Sequence, residues 1–338
     1  MRTALLVDAE GELYKRPPAL RYVWPLLAVA VVLEAANELF GFGGPSAIYQ
    51  VWTHDLLIAS AAVLVLFRAV YEGTTRPAWL AFGLAMVSWS AGSIAWSVVY
   101  GGRATAPYPT FADILWLLWY PMIALGIIQL IRVRFPHFEL HRWMDGLAVT
   151  LLVIVAGFAV VIQPTVDVAT QGPLATVVDF SYPILDVLLI GAILGVYGLL
   201  AWHPDRMWIF IGLGLLATAG ADAAFAVQEA RGVGTDETYA FVWTLGALLL
   251  AYAAWTRVPV ASKEDHHVTG MRAIALPLAA NALAAGIQIY AIFRPVGRSE
   301  RIVTLAVLVV SSVQIILTRP RPLLRPASTR DIRHDDGT

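Results

Sequence analysis

The chain has 338 residues, of which 59% are hydrophobic and 14% are charged, and its formal net charge is −1. Soluble domains carry roughly a quarter charged residues, so this composition and a mean hydropathy of +0.69 exclude an ordinary soluble protein and predict a polytopic membrane protein. The absence of cysteine excludes disulfides, thiolate catalysis and cysteine-ligated metals.

The predicted fold class is all-α. A helix of about 20 apolar residues satisfies its own backbone hydrogen bonds inside a bilayer, whereas an open sheet does not. About ten stretches of the chain are long and apolar enough to form such helices. They lie near residues 22–42, 46–70, 77–100, 111–131, 143–163, 173–201, 206–228, 238–256, 272–293 and 302–318.

The Lys and Arg residues predict the topology. Most of them fall in the N-terminal segment, the even-numbered loops and the tail, so both termini are expected to be cytoplasmic and the protein to cross the plasma membrane several times. The last external turn departs from this pattern, because Arg294, Arg298 and Arg301 lie close together there. The first twenty residues are polar and lack the apolar core of a signal peptide.

An internal duplication is predicted from landmarks that repeat at a nearly constant offset. The alternative is chance similarity among helices rich in Leu, Gly and Ala. An even number of helices in each copy gives both copies the same orientation, related by an axis along the membrane normal. The matching landmarks are Asp55 with Asp186, Trp79 with Trp208, Gly83 with Gly212 and, more loosely, Trp119-Tyr120 with Trp243.

The duplication and the apolar runs divide the chain into five parts. The predicted parts are a cytoplasmic segment at 1–20, a first four-helix repeat at 21–134, a second four-helix repeat at 141–258, two additional transmembrane helices at 271–318, and an Arg-rich cytoplasmic tail at 319–338.

Several polar residues lie inside the predicted spans, where a charged side chain costs about 2.5–3.5 kcal/mol on insertion scales. If the two copies pack about a common axis, these residues are expected to meet in a central cavity that binds a small ligand, an ion or a proton. The alternative is that each one caps a helix or bonds a neighbouring helix. The candidate ligand-binding residues are Asp186, Asp222, Asp55, Glu34 and Tyr182.

Tryptophans fall into two groups by position. Trp89 and Trp96 are seven residues apart on one face with Gly92, and they are candidates to line the same pocket or, alternatively, to pack in a small-residue seam. The tryptophans at predicted helix ends are interpreted as interfacial anchors, namely Trp24, Trp79, Trp143, Trp208 and Trp255.

Recognisable catalytic motifs are missing. No HExxH motif, intramembrane His pair, Walker loop or dinucleotide fingerprint occurs, so no catalytic, cofactor-binding or metal-binding residue is predicted. Of the seven histidines, only His54 falls inside a predicted span. Nucleic-acid binding is not expected either.

A series of short motifs runs along the chain in order, namely Trp89…Gly92…Trp96, PYPTFAD at 107–113, Tyr120-Pro121, WMDG at 143–146, SYPILD at 181–186 and Ala221-Asp222. Together they resemble the multi-helix membrane sensor region at the N-terminus of many GGDEF/EAL cyclic-di-GMP signalling proteins of high-GC bacteria. The resemblance covers about residues 80–258 and implies a sensory module joined to a cytoplasmic, dimeric cyclase or phosphodiesterase. Neither a GGDEF nor an EAL segment follows residue 318 here, so the chain is expected either to act through a partner or to have lost its signalling domain.

These observations favour a sensory or signal-transducing membrane module that is not an enzyme and binds a small ligand in the carboxylate-lined cavity. Its expected partners are the lipid bilayer, a cytoplasmic cyclase, phosphodiesterase or kinase, and a second copy in a homodimer. The alternative is a secondary transporter or channel-like protein for a small solute or ion. An intramembrane enzyme ranks third, because no nucleophile or metal set accompanies the carboxylates.

Overall fold

A computed structural model describes residues 5–7, 13–15, 17–41, 52–71, 73, 75–100, 107–134, 172–200, 202–230 and 239–256. Within these ranges the chain forms a short antiparallel hairpin and seven helices. The strands are β1 (Leu5–Val7) and β2 (Leu13–Lys15), and the helices are α1 (Leu20–Phe40), α2 (Thr53–Tyr71), α3 (Arg76–Tyr100), α4 (Phe111–Arg134), α5 (Pro173–Leu199), α6 (Arg206–Ala230) and α7 (Ala240–Ala254).

The seven helices match seven of the ten predicted spans. The described part of α2 begins at Thr53, so His54 and Asp55 lie in its first turn, and residues 46–51 of the predicted span lie outside the described residues. The hairpin was not predicted, since the N-terminal segment was identified only as polar. The predicted spans at 143–163, 272–293 and 302–318 and the predicted tail lie outside the described residues.

Six of the described helices, α1 to α6, are long and apolar enough to cross a membrane, and α7 is a shorter apolar helix of 15 residues. Their outer faces carry large apolar side chains. Leu26 is 69% exposed, Val63 64%, Val98 65% and Leu174 68%, as expected where lipid rather than protein covers the surface. The chain is therefore a multi-pass α-helical membrane protein.

Helix packing is circular in the described part of the chain. α2 packs against α3, α3 against α4, α4 against α5, α5 against α6, α6 against α7, and α7 against α2, while α1 lies beside α2 and α7. We call α2–α4 the first half of this ring and α5–α7 the second half. The halves meet at two seams, α4 with α5 and α2 with α7.

Contacts across the ring define the helix directions. Along the seam of α4 and α5, Asp113 pairs with Tyr182 and Tyr120 pairs with Asp186, so the two helices run parallel. The seam of α2 and α7 is parallel as well, because His54 meets Thr244 at one end and Leu64 meets Trp255 further along. Neighbours within each half are antiparallel, as the pairs Phe82 with Gly126 and Gly92 with Trp116 show for α3 and α4.

These directions give the bundle two chemically different ends. At one end α1, α3 and α6 finish and α2, α4, α5 and α7 begin; we call it the acidic end. Between it and the middle of the helices lie Glu34, Glu38, Asp55, Asp113, Asp179, Asp186 and Asp222. The opposite, arginine end carries the arginines of the described residues, namely Arg21, Arg68, Arg76, Arg132, Arg134 and Arg206.

Glycines allow the first two helices of each half to approach closely. A Cβ atom added to Gly83 of α3 would clash with the side chain of Leu66 on α2. In the second half, a Cβ atom on Gly212 of α6 would clash with the hydroxyl of Tyr197 on α5. Such close approach through small residues is characteristic of helices packing within membranes.

Three tryptophans at helix ends are buried rather than exposed to an interface. Trp79, Trp208 and Trp255 are each 0% exposed. Trp255 donates its indole N–H to the carbonyl oxygen of Leu64 at 2.9 Å and thereby links α7 to α2. The interpretation of these three as interfacial anchors is therefore wrong, because their rings fill space between helices, and Trp143 lies outside the described residues.

Candidate functional site

A group of polar side chains from four helices meets where α4 of the first half packs against the second half of the ring. The Tyr120 hydroxyl of α4 lies 2.9 Å from Oδ1 of Asp186 on α5 and 3.2 Å from Oδ2 of Asp222 on α6. The indole N–H of Trp243 on α7 donates to Oδ1 of Asp222 at 2.8 Å. We call these four residues the carboxyl junction. It brings together two of the predicted site residues, Asp186 and Asp222.

Burial makes the carboxyl junction energetically demanding. Tyr120 is 3% exposed and Asp186 is 7% exposed, and the two carboxyl groups also interact directly with each other. No Lys, Arg or His side chain of the described residues contacts either carboxyl group, so their stabilisation comes from hydroxyl and indole donors rather than from a counter-ion. Removing a donor here leaves a buried acceptor unsatisfied.

A second set of hydrogen bonds extends the same seam toward the acidic end. Oδ2 of Asp113 accepts the backbone N–H and the hydroxyl of Thr110 at 2.7 and 2.8 Å, and the bond to the backbone N–H is one half of a capping box at the start of α4. Its other oxygen accepts the Tyr182 hydroxyl at 2.9 Å. Asp113 thus caps the start of α4, and Tyr182, one of the predicted site residues, lies beside this cap. Tyr108 bonds Asp179 one step nearer the end.

The other seam has its own polar contact, which we call the glutamate junction. Nδ1 of His54 on α2 lies 2.8 Å from the Thr244 hydroxyl of α7 and 3.3 Å from Oε1 of Glu34 on α1. The Thr244 hydroxyl also donates to Oε1 of Glu34 at 2.9 Å. One turn further along α1, Glu38 accepts the backbone N–H of Phe241 at 3.1 Å.

Helix α7 connects the two junctions. Trp243 belongs to the carboxyl junction, and its neighbour Thr244 belongs to the glutamate junction. Successive residues on a helix point about 100° apart, so one helix presents donors to both seams at the same depth. A rotation or shift of α7 would alter both sets of hydrogen bonds.

Asp55 lies apart from both junctions. It is 2% exposed, its side chain bonds Ser97 of α3, and its Oδ2 atom has no partner. The predicted set Glu34, Asp55, Asp186 and Asp222 is thus distributed over three places in the bundle. Only Asp186 and Asp222 meet.

The two candidate pocket tryptophans pack against other aromatic rings. The ring of Trp89 lies 5.6 Å from that of Trp119 in an edge-to-face arrangement. Trp96 lies 5.3 Å from Tyr100 and 6.0 Å from Trp116. A Cβ atom on Gly92 would meet the Trp116 ring, so α3 and α4 form a close seam here. The contacts of Trp89 and Trp96 are those of the packing alternative.

Sequence reasoning did not assign a site role to Tyr120, Trp243 or Thr244. The available signal was the loose match between Trp119-Tyr120 and Trp243 in the repeat. Aligning Trp119 with Trp243 places Thr244 opposite Tyr120, and each residue after the tryptophan reaches across a seam to the other half. His54, already noted as the one histidine in a predicted span, is the partner of Thr244.

No cluster of three or more His, Cys, Asp or Glu side chains with metal-binding geometry occurs in the described ranges. The two junctions offer carboxyl, hydroxyl, imidazole and indole groups, which are suited to binding protons, cations or hydrogen-bond donors. A bundle of membrane-spanning helices with buried polar seams is the class that this fold and these sites define. Comparison with family models, curated proteins and solved structures finds no match to the chain.

Proposed function

We propose that this protein is a membrane sensory or signal-transmitting module in which the carboxyl junction couples the two halves of the helix ring. The observation that carries the proposal is the position of Tyr120, which belongs to the first half and bonds Asp186 and Asp222 of the second. A stimulus that changes the hydrogen bonding of these carboxyl groups changes the contact between the halves. Packed interfaces of this kind tend to switch between discrete arrangements.

The proposal includes a duplicated architecture. Three observations support it. Equivalent helices of the two halves run in the same direction, and the seam of α4 with α5 corresponds to the seam of α7 with α2. Gly83 and Gly212 face positions 66 and 197, which are 131 residues apart. We place the further spans outside the described residues, giving ten in all. The two added helices are then free to connect the ring to a partner.

The proposed orientation has both termini in the cytoplasm of a bacterial cell. The concentration of arginine at one end of the described helices supports it, because positive residues are retained on the cytoplasmic side of the plasma membrane. The chain contains no cysteine, so single cysteines at Gly73 and Pro107 report the two ends separately. An impermeant maleimide added to intact cells is expected to label Pro107→Cys and not Gly73→Cys, and the reverse pattern contradicts the orientation.

The coupling is tested with spin labels on α4 and α5. Cysteines at Arg132 and Gly198, near the arginine end, report the distance between these helices by double electron–electron resonance. Tyr120→Phe is expected to change the distance distribution, while Tyr239→Phe, at an exposed position, leaves it unchanged. Identical distributions for the parent and Tyr120→Phe would show that the junction does not couple the halves.

Transport of a small solute or ion is the second candidate. The observation that favours it is the same pair of buried carboxyl groups, since intramembrane acids commonly mark ion and proton pathways. Uptake assays in proteoliposomes separate the two functions. Solute flux that Asp186→Asn abolishes would replace the sensor proposal. The signalling function is supported if no flux is detected and if the purified protein specifically pulls down a cytoplasmic cyclase, phosphodiesterase or kinase.

A further inference from the structure

The glutamate junction contains a buried acceptor that its neighbours leave unsatisfied. Glu34 is 1% exposed, and its Oε2 atom has no hydrogen-bond partner. The donors of the junction converge on the other oxygen, because both the Thr244 hydroxyl and the His54 ring lie against Oε1. Since the two oxygens share one carbon, Oε2 lies in the same space between α1, α2 and α7.

An unpartnered carboxylate oxygen in an apolar environment is unfavourable unless a donor or a cation reaches it. The charges nearby make a cation the better partner. Glu34, Glu38 and Asp55 all lie at the acidic end of α1 and α2, and His54 is the one basic side chain that the described part of the chain places beside them. The arginines of the neighbouring described helices lie at the opposite end, so the described charges around Glu34 are mainly acidic and favour a cation.

The ligand set points to a single positive charge. One carboxyl oxygen is available, and the remaining groups at the junction are a hydroxyl and an imidazole. A divalent ion such as Ca²⁺ takes six to eight oxygen ligands, usually including several carboxylates, and the described residues hold no cluster of three acidic or histidine ligands. A monovalent metal ion or a small ammonium ion needs less charge from the protein.

We propose that Glu34 anchors a binding site for a small monovalent cation between α1, α2 and α7. The site is separate from the carboxyl junction, so it does not depend on the signalling function proposed above. Because Thr244 adjoins Trp243, a cation bound here would influence the carboxyl junction through α7.

The first test measures thermal unfolding of the purified full-length chain in detergent. Sodium, potassium, ammonium and choline chlorides are compared at constant ionic strength. At least one of the three small cations is expected to raise Tm in a saturating manner relative to choline, because a ligand that binds only the folded state stabilises it. The identity of the stabilising cation shows whether the site takes a metal ion or an ammonium ion. If none of the three cations raises Tm, the proposal is overturned.

Variants locate the effect. Glu34→Gln is expected to lose the rise in Tm, and Glu38→Gln, one turn away on the same helix, is expected to retain it. If Glu34→Gln does not fold, Glu34→Asp replaces it. This variant keeps the negative charge, but its shorter side chain moves the carboxyl oxygens away from the site. Calorimetry is expected to show that it binds the cation at least tenfold more weakly than the parent. Asp186→Asn leaves the Glu34 carboxyl group in place and is therefore expected to keep a saturable rise in Tm, even if the coupling through α7 shifts the affinity. The assignment of the site to Glu34 is overturned if the Glu34 variants bind the cation as well as the parent does. It is also overturned if only Asp186→Asn loses cation binding.

Discussion

The hydroxyl of Tyr120 donates a hydrogen bond to Asp186 across the seam between α4 and α5, with the oxygens 2.9 Å apart. The two residues are 66 positions apart in the chain and belong to different halves of the ring. Both are buried, so neither can exchange this partner for water without opening the seam. The stability of the bundle is therefore linked to the chemical state of an intramembrane carboxyl group.

Replacing Tyr120 with Phe should destabilise the protein by about 1–2 kcal/mol. Hydrogen bonds between transmembrane helices are typically worth about 0.6 kcal/mol and at most about 1.7, but this hydroxyl faces two buried carboxyl groups that would lose their shared donor. Chemical unfolding in mixed micelles measures the change. Tyr239→Phe, where the side chain is 41% exposed, is the control and should differ little from the parent. Equal stabilities of both variants would show that the junction is energetically silent.

A double-mutant cycle between Tyr120→Phe and Asp186→Asn should give a coupling free energy of about 0.5–1.7 kcal/mol, since the residues are in direct contact. The matched cycle between Tyr120→Phe and Asp55→Asn should be additive, because Asp55 bonds Ser97 and not Tyr120. Unfolding free energies of the single and double variants provide both values. Coupling of similar size in both cycles would indicate a global change in the bundle rather than a local bond.

Adding a methyl group at the close-packed glycines should destabilise the helix pairs. Gly83→Ala and Gly212→Ala force the added carbon against Leu66 and Tyr197, and overpacking of this kind costs about 1–3 kcal/mol. Gly220→Ala is the control, because a Cβ atom added there would meet nothing within 4 Å and Ala favours the helix by roughly 0.5–1 kcal/mol. Thermal unfolding of the three variants in detergent provides the comparison.

Tyr197 offers a rescue experiment for the second glycine. Tyr197→Phe removes the hydroxyl that the new methyl group of Gly212→Ala would meet, so the double variant should recover part of the lost Tm. Tyr197→Phe must also be measured alone, because that hydroxyl donates to the carbonyl oxygen of Trp208 at 2.8 Å. The gain in Tm from relieving the clash must exceed the loss in Tm that Tyr197→Phe causes alone. A double variant less stable than either single one would contradict the proposed contact.

Asp205, just before α6, should make stability depend on pH. Burial raises the pKa of its carboxyl group above the ordinary value, although the backbone N–H of Met207 donates to it at 3.1 Å. A folded-state pKa above the unfolded value means that the folded state binds more protons, so stability falls as pH rises from the ordinary Asp value through the raised one.

Asp205→Asn removes this ionisation and keeps an oxygen that can cap the helix. Tm measured across the mildly acidic range should therefore fall less steeply with pH in Asp205→Asn than in the parent, and at neutral pH the variant should be at least as stable. Asp205→Ala removes the helix cap as well, so its free energy of unfolding should be about 1 kcal/mol lower than that of Asp205→Asn. A steeper pH dependence in Asp205→Asn would contradict this account.

The sequence predicted the helices well because each helix is determined by its own apolar length. Seven predicted spans agree with described helices. The predictions about which residues of different helices contact each other were less accurate. Asp55 was grouped with Asp186 and Asp222 but faces Ser97, and Trp79 was assigned to an interface but is enclosed by helices.

What the sequence determined by itself was a multi-pass helical membrane protein with acids inside its spans, because hydrophobic length and the cost of a buried charge are properties of each segment alone. Only the tertiary structure decided that Asp186 meets Asp222 through Tyr120 and that Glu34 meets His54 through Thr244. Those pairings depend on the order of helices around the ring and on the rotation of each about its axis. Both are set by small packing contacts, such as Gly83 with Leu66, which no single segment contains.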